Sequence, residues 1–236
     1  MLFEEEYRLR SNDFDQYDVV RPSSILDIFQ NIAGKHAEEM GIGYLPLVKK
    51  NLGWVLTRQR ISILKELHDN EILRVLTWPN EKGKVDFMRN YEAYDENGEL
   101  VAKGMSRWCV ISLTERKVMR TDEINYPGKC ISKKSYDEKL SRITSVIKDD
   151  NISFSHKVTY SDLDHNFHMN NAKYADIILD ALLPEKKLLV KDLQINYFHE
   201  ARINDVINVF MKREEETIYF SGYIGDEECF SARIVF

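Results

Sequence analysis

Residues Ser161–Asp180, SDLDHNFHMNNAKYADIILD, combine two patterns that organise the chain. The first part is polar and carries Asp164, Asn166 and His168 on alternate residues. If this part is extended, the three side chains share one face, because side chains alternate along a strand. The second part has apolar residues at the spacing of one helix face, with Asn170–Asn171 as a candidate cap. The stretch predicts an acid, an amide and an imidazole at the N-terminus of a buried helix; the alternative is a polar loop that serves turns and caps.

The first half of the chain contains a matching stretch. Residues 13–15 (DFD) correspond to residues 162–164 (DLD), and residues 68–75 (HDNEILRV) correspond to residues 202–209 (RINDVINV). Similarity in the same order over such a distance indicates a duplicated structural unit. We therefore predict two copies of one helix-plus-sheet unit.

Each copy has one helical pattern and several strand patterns. In the first copy a helical run begins near Pro22, and four β-type runs separated by turn sequences follow it. These patterns predict an α+β fold with an antiparallel sheet curled round a helix. Pairing the copies edge to edge would cover an exposed strand edge. We place the N-terminal unit at residues 1–135, a linker at 136–149 and the C-terminal unit at 150–236.

Composition excludes several classes of protein. The 236 residues carry a net charge of −6 without a long basic stripe, which argues against a nucleic-acid partner. No run approaches the roughly 20 apolar residues of a membrane helix, and the first residues lack the order of a signal peptide. Cys109, Cys130 and Cys229 have no metal-ligand spacing. We expect a cytoplasmic protein with free thiols and no metal site.

Four segments together resemble the acyl-acyl carrier protein thioesterases. They are DLDHNFHMNNAKY (162–174), INYFHEA (195–201), LGWVLTRQRISI (52–63) and GELVAKGMSRW (98–108). The resemblance extends from about residue 7 to residue 236. It implies a tandem hot-dog fold, in which an antiparallel sheet wraps a long helix in each copy. It also implies hydrolysis, in fatty acid biosynthesis, of the thioester between a fatty acyl chain and the phosphopantetheine arm of acyl carrier protein, with no further cofactor.

The resemblance also assigns catalytic residues. The catalytic Asp, Asn and His of the family fall on Asp164, Asn166 and His168, and its catalytic Glu falls on Glu200. Plant members have a Cys after this Glu, whereas Ala201 stands here, so a thiol nucleophile is excluded at that position. The chain also lacks the N-terminal extension of plastid members, which leads us to expect a bacterial cytoplasmic protein.

The residue types suit hydrolysis of a thioester. Glu200 lies in an apolar run, where loss of solvent would make its carboxylate a better proton acceptor, and we expect it to activate water, with direct attack as the alternative. Asn166 would orient the water or the carbonyl, His168 would donate to the thioester or its leaving group, and Asp164 would fix Asn166. Backbone N–H groups near Asn170 and Asn171 are candidates for an oxyanion hole. We expect the flanking residues His165 and His199 to be structural.

The duplication suggests where the acyl chain binds. The first copy has Tyr17 and Val19 where the second has Asn166 and His168, so it lacks the catalytic set and is available to hold a ligand. The expected substrate-binding residues are therefore Ile25, Ile28, Phe29, Ile32 and Asn171.

An acidic carrier protein requires a basic surface on an acidic enzyme. The densest group of basic residues lies at the end of the first copy and in the following segment. Its members are Arg116, Lys117, Arg120, Lys129, Lys133 and Lys134. We predict that this group docks the carrier; an ordinary solvated surface is the alternative.

Two other functions compatible with the same fold remain open. One is hydrolysis of acyl-coenzyme A, and the other is lipid binding without catalysis. The retained Asp, Asn, His and Glu argue against a pure binding protein. The sequence also leaves open a homodimer, the preferred chain length and the choice between carrier protein and coenzyme A.

Overall fold

The computed structural model describes residues 2–80, 82–126, 130–149 and 151–236. Within these ranges the same order of elements occurs twice, with one extra short helix in the first half. The first half contains β1 (Phe3–Arg8), α1 (Pro22–Glu39), α2 (Tyr44–Val48), β2 (Leu52–Ile63), β3 (Ile72–Pro79), β4 (Phe87–Tyr94) and β5 (Leu100–Ser112). The second half contains β6 (Phe154–Lys157), α3 (Lys173–Leu182), β7 (Asp192–Tyr197), β8 (Val206–Glu214), β9 (Thr217–Ile224) and β10 (Glu227–Val235). Within these ranges no helix is long and apolar enough to cross a membrane.

All ten strands form one antiparallel sheet. Its order is β1-β3-β4-β5-β2-β7-β10-β9-β8-β6, so each half contributes five strands in mirrored order. The halves meet where β2 pairs with β7, from Arg58 opposite Asn196 to Ser62 opposite Asp192. The expected edge-to-edge pairing of the copies is therefore observed.

The helices pack on one face of this sheet. The apolar face of α1 is buried, and Phe29 lies against Gly104 of β5, where an added Cβ would approach the Phe29 ring to 2.7 Å. Only glycine permits this close approach between helix and strand. The two helices are also linked directly, since Ser23 Oγ donates a hydrogen bond to Asp176 Oδ1 at 2.5 Å.

The connection between the halves runs along the sheet. Tyr136 and Leu140, in the predicted linker, are buried against Met105 of β5. The Leu140 carbonyl accepts a hydrogen bond from Arg58 Nη1 at 2.9 Å, and the Val146 N–H donates to Ser221 Oγ at 2.9 Å. The linker is thus an ordered strap that contacts strands of both halves.

Candidate active site

The segment that carries Asp164, Asn166 and His168 is a tight turn. The Asp164 N–H donates to the His168 carbonyl at 2.9 Å, and Asp164 Oδ1 accepts the Asn166 N–H at 2.8 Å. Phe167 has a φ of 64°, in the left-handed region. The segment is therefore not extended, because the Asp164 side chain and the left-handed residue close a turn.

The first copy folds the same turn without the chemistry. Asp15 Oδ1 accepts the N–H of Tyr17 at 2.8 Å, and Asp18, in the position of Phe167, has a φ of 58°. The aspartate thus closes the turn in both copies. At the two positions proposed to be catalytic, the second turn has Asn166 and His168 where the first has Tyr17 and Val19.

Glu200 meets this turn through the chain that leaves β7. The Met169 N–H donates to the Ala201 carbonyl at 2.9 Å, and His168 Nε2 lies 3.0 Å from Glu200 Oε2. Because β7 ends at Tyr197, Glu200 does not lie in an apolar strand, and 30% of its side chain is exposed. The predicted apolar strand thus ends before Glu200, and the carboxylate is partly buried.

Two arginines complete the surroundings of Glu200. Arg116 Nη2 lies 2.9 Å from Glu200 Oε2, and Arg202 Nη2 lies 3.7 Å from the same atom. His168 also contacts Oε2. In the part of the chain that the structure describes, Oε1 has no hydrogen-bond partner. One carboxylate oxygen is therefore held by three nitrogen groups, and the other is available for water or substrate.

A cavity of about 1220 Å³ opens beside these residues. At one end it is lined by the turn and by Glu200. Elsewhere it is lined by aromatic side chains from β2, β4, β5 and the segment after β5, which we call the aromatic chamber. Its members are Trp54, Phe87, Trp108 and Tyr126. The cavity thus joins a polar, reactive end to an apolar region that suits a hydrocarbon chain.

Family models of the acyl-ACP thioesterase N-terminal and C-terminal domains match residues 1–126 and 146–228. The chain belongs to the acyl-ACP thioesterase family. It is 24% identical over 226 residues to the chloroplastic oleoyl-acyl carrier protein thioesterase 2 of Arabidopsis thaliana. This alignment covers 87% of this chain and 61% of that protein. It is 25% identical over 246 residues to the chloroplastic palmitoyl-acyl carrier protein thioesterase of the same plant, which covers 97% of this chain and 59% of that protein. The chain thus spans about three fifths of the length of these relatives.

Solved structures of the family share the fold. An acyl-ACP thioesterase from Bacteroides thetaiotaomicron superposes with a TM-score of 0.85 at 23% identity, over 100% of this chain and 97% of that one. The 12:0-ACP thioesterase from Umbellularia californica superposes with a TM-score of 0.86 at 18% identity, over 99% and 96%. The likeness confirms the tandem hot-dog fold that the sequence implied.

The predicted acyl-chain residues are divided between the cavity and the core. Ile28 lines the cavity, whereas Ile25, Phe29 and Ile32 are buried in the core and do not line it. The most apolar face of α1 packs on the sheet, so an adjacent face of the helix, including Ala37, meets the cavity. We did not predict the aromatic chamber from the sequence, although three of its four members lie in predicted strands.

Of the backbone N–H groups considered for the oxyanion hole, one is available to a ligand among the described residues. The Asn170 N–H donates to the Asp162 carbonyl, and Asn170 Oδ1 accepts the Ala172 N–H at 2.9 Å, just ahead of α3. Asn171 lines the cavity, and its carbonyl accepts the Tyr197 hydroxyl at 2.9 Å. No partner for the Asn171 N–H is found among the described residues, so this group can donate to a ligand.

The predicted docking residues do not form an unpaired basic surface. Arg116 belongs to the site beside Glu200, while Lys117, Arg120 and Lys133 pair with Glu115, Asp122 and Glu92 respectively. Lys134 is exposed, and Lys129 lies outside the described residues. Carrier docking by Lys117, Arg120, Lys133 and Lys134 stays a prediction.

The two flanking histidines both line the cavity but have different neighbours. His165 lines the cavity, with its ring edge-on to Tyr44 at a centroid distance of 4.6 Å. His199 also lines the cavity, and its Nδ1 lies 3.9 Å from Glu227 Oε2. Among the described residues, neither ring forms a hydrogen bond or an ion pair with Glu200.

Two of the three thiols are poorly suited to act as nucleophiles. Cys229 is fully buried, its Sγ donates to the Gly222 carbonyl at 3.2 Å, and burial raises the pKa of its thiol to about 12. Burial also raises the pKa of Cys109. Neither residue lines the cavity, and Ala201 is buried behind Glu200.

Proposed function

We propose that this chain hydrolyses the thioester between a fatty acyl chain and acyl carrier protein, releasing a free fatty acid and the holo-carrier. Family membership supports this function, as do the activities for which the two Arabidopsis relatives are named. The single observation that carries it is the contact between His168 and Glu200 at the polar end of a cavity with an apolar region.

Glu200 acts as the general base in this proposal. Its Oε2 is held by Arg116 and His168, and its Oε1 faces no protein donor among the described residues. A water molecule bound to Oε1 loses its proton to the carboxylate as its oxygen attacks the thioester carbonyl carbon. Direct attack by the carboxylate would use the same oxygen and is the alternative.

The attack places negative charge on the carbonyl oxygen. The Asn171 N–H and the Asn166 amide are the donors that we assign to this charge. Collapse of the tetrahedral intermediate breaks the carbon–sulfur bond, and the proton taken up by Glu200 passes, with the help of His168, to the departing sulfur. The products are a carboxylic acid and a free phosphopantetheine thiol, so the atoms balance.

The test measures steady-state hydrolysis of matched acyl-carrier and acyl-coenzyme A substrates across chain lengths. We expect the higher kcat/KM on the carrier substrates. Glu200→Gln keeps the shape of the side chain and removes the base, so kcat should fall about 10²–10⁴-fold, with an unchanged thermal unfolding midpoint showing that the fold is intact. Higher kcat/KM on acyl-coenzyme A would establish the second candidate substrate, and no hydrolysis of either would favour a binding protein.

A further inference from the structure

A buried arginine lines the cavity away from the proposed catalytic residues. Arg89 lies on β4, is only 7% exposed and contributes to the cavity wall near the aromatic chamber. Strands β5 and β2 separate β4 from β7, and three strand spacings amount to about 14 Å along the sheet. A saturated hydrocarbon chain offers nothing that a guanidinium can bind. An ordinary fatty acyl chain therefore gives the Arg89 guanidinium no group to bind.

The neighbours of Arg89 are uncharged. Its Nη1 donates to Thr77 Oγ1 at 3.2 Å and lies 3.0 Å from His36 Nδ1. Burial, followed by the positive charge of Arg89, lowers the pKa of His36 to about 4, so the ring is neutral and Nδ1 accepts. The Tyr126 hydroxyl is another neighbour. Across the described ranges, no carboxylate forms an ion pair with Arg89.

This arrangement leaves charge and hydrogen-bonding capacity unused. A buried charge without an opposite partner costs several kcal/mol in typical proteins. The guanidinium carries five N–H donors in a planar fork that matches the two oxygens of a carboxylate. Thr77 and His36 take two of these donors, which leaves others for a group in the cavity. A carboxylate brought in by a ligand would supply the missing negative charge.

We propose that Arg89 binds a carboxylate at the distal end of the acyl chain, so that the substrates include thioesters of long-chain dicarboxylic acids. This inference rests on the proposed function, because the thioester must lie at Glu200 while the far end of the chain reaches Arg89. The aromatic chamber encloses the hydrocarbon between the two ends. The interaction consists of hydrogen bonds and charge and includes no covalent step.

The experiment compares carrier substrates of equal chain length that end in a methyl group or in a carboxylate, in a series from medium to long chains. In the wild-type protein we expect kcat/KM at the best length to be about 10- to 100-fold higher for the carboxylate-ended substrate, as a charged hydrogen bond allows. Arg89→Met should reduce this ratio by about the same factor, and Arg89→Lys should retain part of it.

Equilibrium binding separates this inference from the proposed function. Calorimetry with Glu200→Gln should show tighter binding of a free dicarboxylic acid than of the monocarboxylic acid of equal length. Hydrolysis of methyl-ended substrates without either preference would overturn the inference and leave the function intact. If nothing is hydrolysed, the function fails, and the calorimetry still decides the role of Arg89.

A structural role for Arg89 predicts other results. If Arg89→Met lowers kcat/KM equally for both substrates and lowers the unfolding midpoint, Arg89 only links α1 to the sheet, and the inference is wrong. If the variant weakens carrier substrates but not short acyl thioesters without a phosphate, Arg89 recognises the phosphate of the arm, which also overturns it. The wild-type comparison needs no variant and holds even if Arg89→Met fails to fold.

Discussion

Arg116 Nη2 lies 2.9 Å from Glu200 Oε2, and this contact joins the first copy of the fold to the proposed base in the second. Arg116 follows β5 in a turn and has a φ of 55°, whereas Glu200 follows β7. Because more than half of the Arg116 side chain is exposed, the pair should add little stability. The contact instead orients Glu200, because it fixes the Oε2 atom of the carboxylate.

Replacing Arg116 should therefore impair catalysis more than folding. Arg116→Met should lower kcat about 10- to 100-fold, because a misplaced catalytic group loses its orientation toward the substrate, and Arg116→Lys should recover part of the loss. Kinetics on acyl-carrier substrates and on small acyl thioesters would check this, with Arg213→Met, at an exposed arginine that does not line the cavity, as the matched control. We expect equal losses on both substrate types. A rise in KM for carrier substrates alone would instead indicate that Arg116 docks the carrier and does not orient Glu200.

The duplicated turn supplies an internal control for Asp164. Asp164→Ala and Asp15→Ala each remove a carboxylate that accepts backbone N–H groups, so each should destabilise the protein by about 1–3 kcal/mol in denaturant titrations. Only Asp164→Ala should also reduce kcat substantially. Equal activity of the two variants would show that the second turn has no special chemical role.

Exchanging the distinguishing residues between the turns tests them directly. Asn166→Tyr with His168→Val places the residues of the first copy in the second turn, which keeps its Asp164 and its backbone. We expect kcat to fall at least about 10²-fold, with an unfolding midpoint close to that of the wild type. Retained turnover would mean that this pair is not catalytic.

Ile28 should influence which chain length is cleaved. Ile28→Trp places bulk in the cavity, so the chain length with the highest kcat/KM should become shorter. Ile25, one turn earlier on α1, is buried in the core, and Ile25→Ala should cost about 2–5 kcal/mol of stability without altering the chain-length profile. An identical profile in the Ile28 variant would place the acyl chain elsewhere.

Alkylation should leave activity largely intact. The pKa of Cys229 is raised to about 12 by burial, so its thiol stays protonated, and unreactive, at every pH well below that value. The assay follows activity and labelling by mass spectrometry during treatment with iodoacetamide. Inactivation in step with labelling of one cysteine would contradict a mechanism based on Glu200.

The sequence predicted the fold more completely than the site. The duplication and the strand patterns were enough to predict that the sheets of the two copies pair, because repeats and strands both appear as periodic patterns along the chain. The conformation of Phe167 was not visible, since a non-glycine residue with positive φ has no clear pattern. The contact of Arg116 with Glu200 depends on where β5 and β7 end in space. The cavity face of α1 was misjudged, because the most apolar face of a helix packs on the sheet.

The continuous sheet also determines how the protein can move. Five register pairs join β2 to β7, so the halves cannot swing apart without breaking backbone hydrogen bonds across that ladder. The walls that the two halves give to the cavity therefore keep a fixed spacing. A cavity with fixed walls accepts ligands only up to a certain length. We therefore expect the distance between its two ends to determine which acyl chain length is preferred.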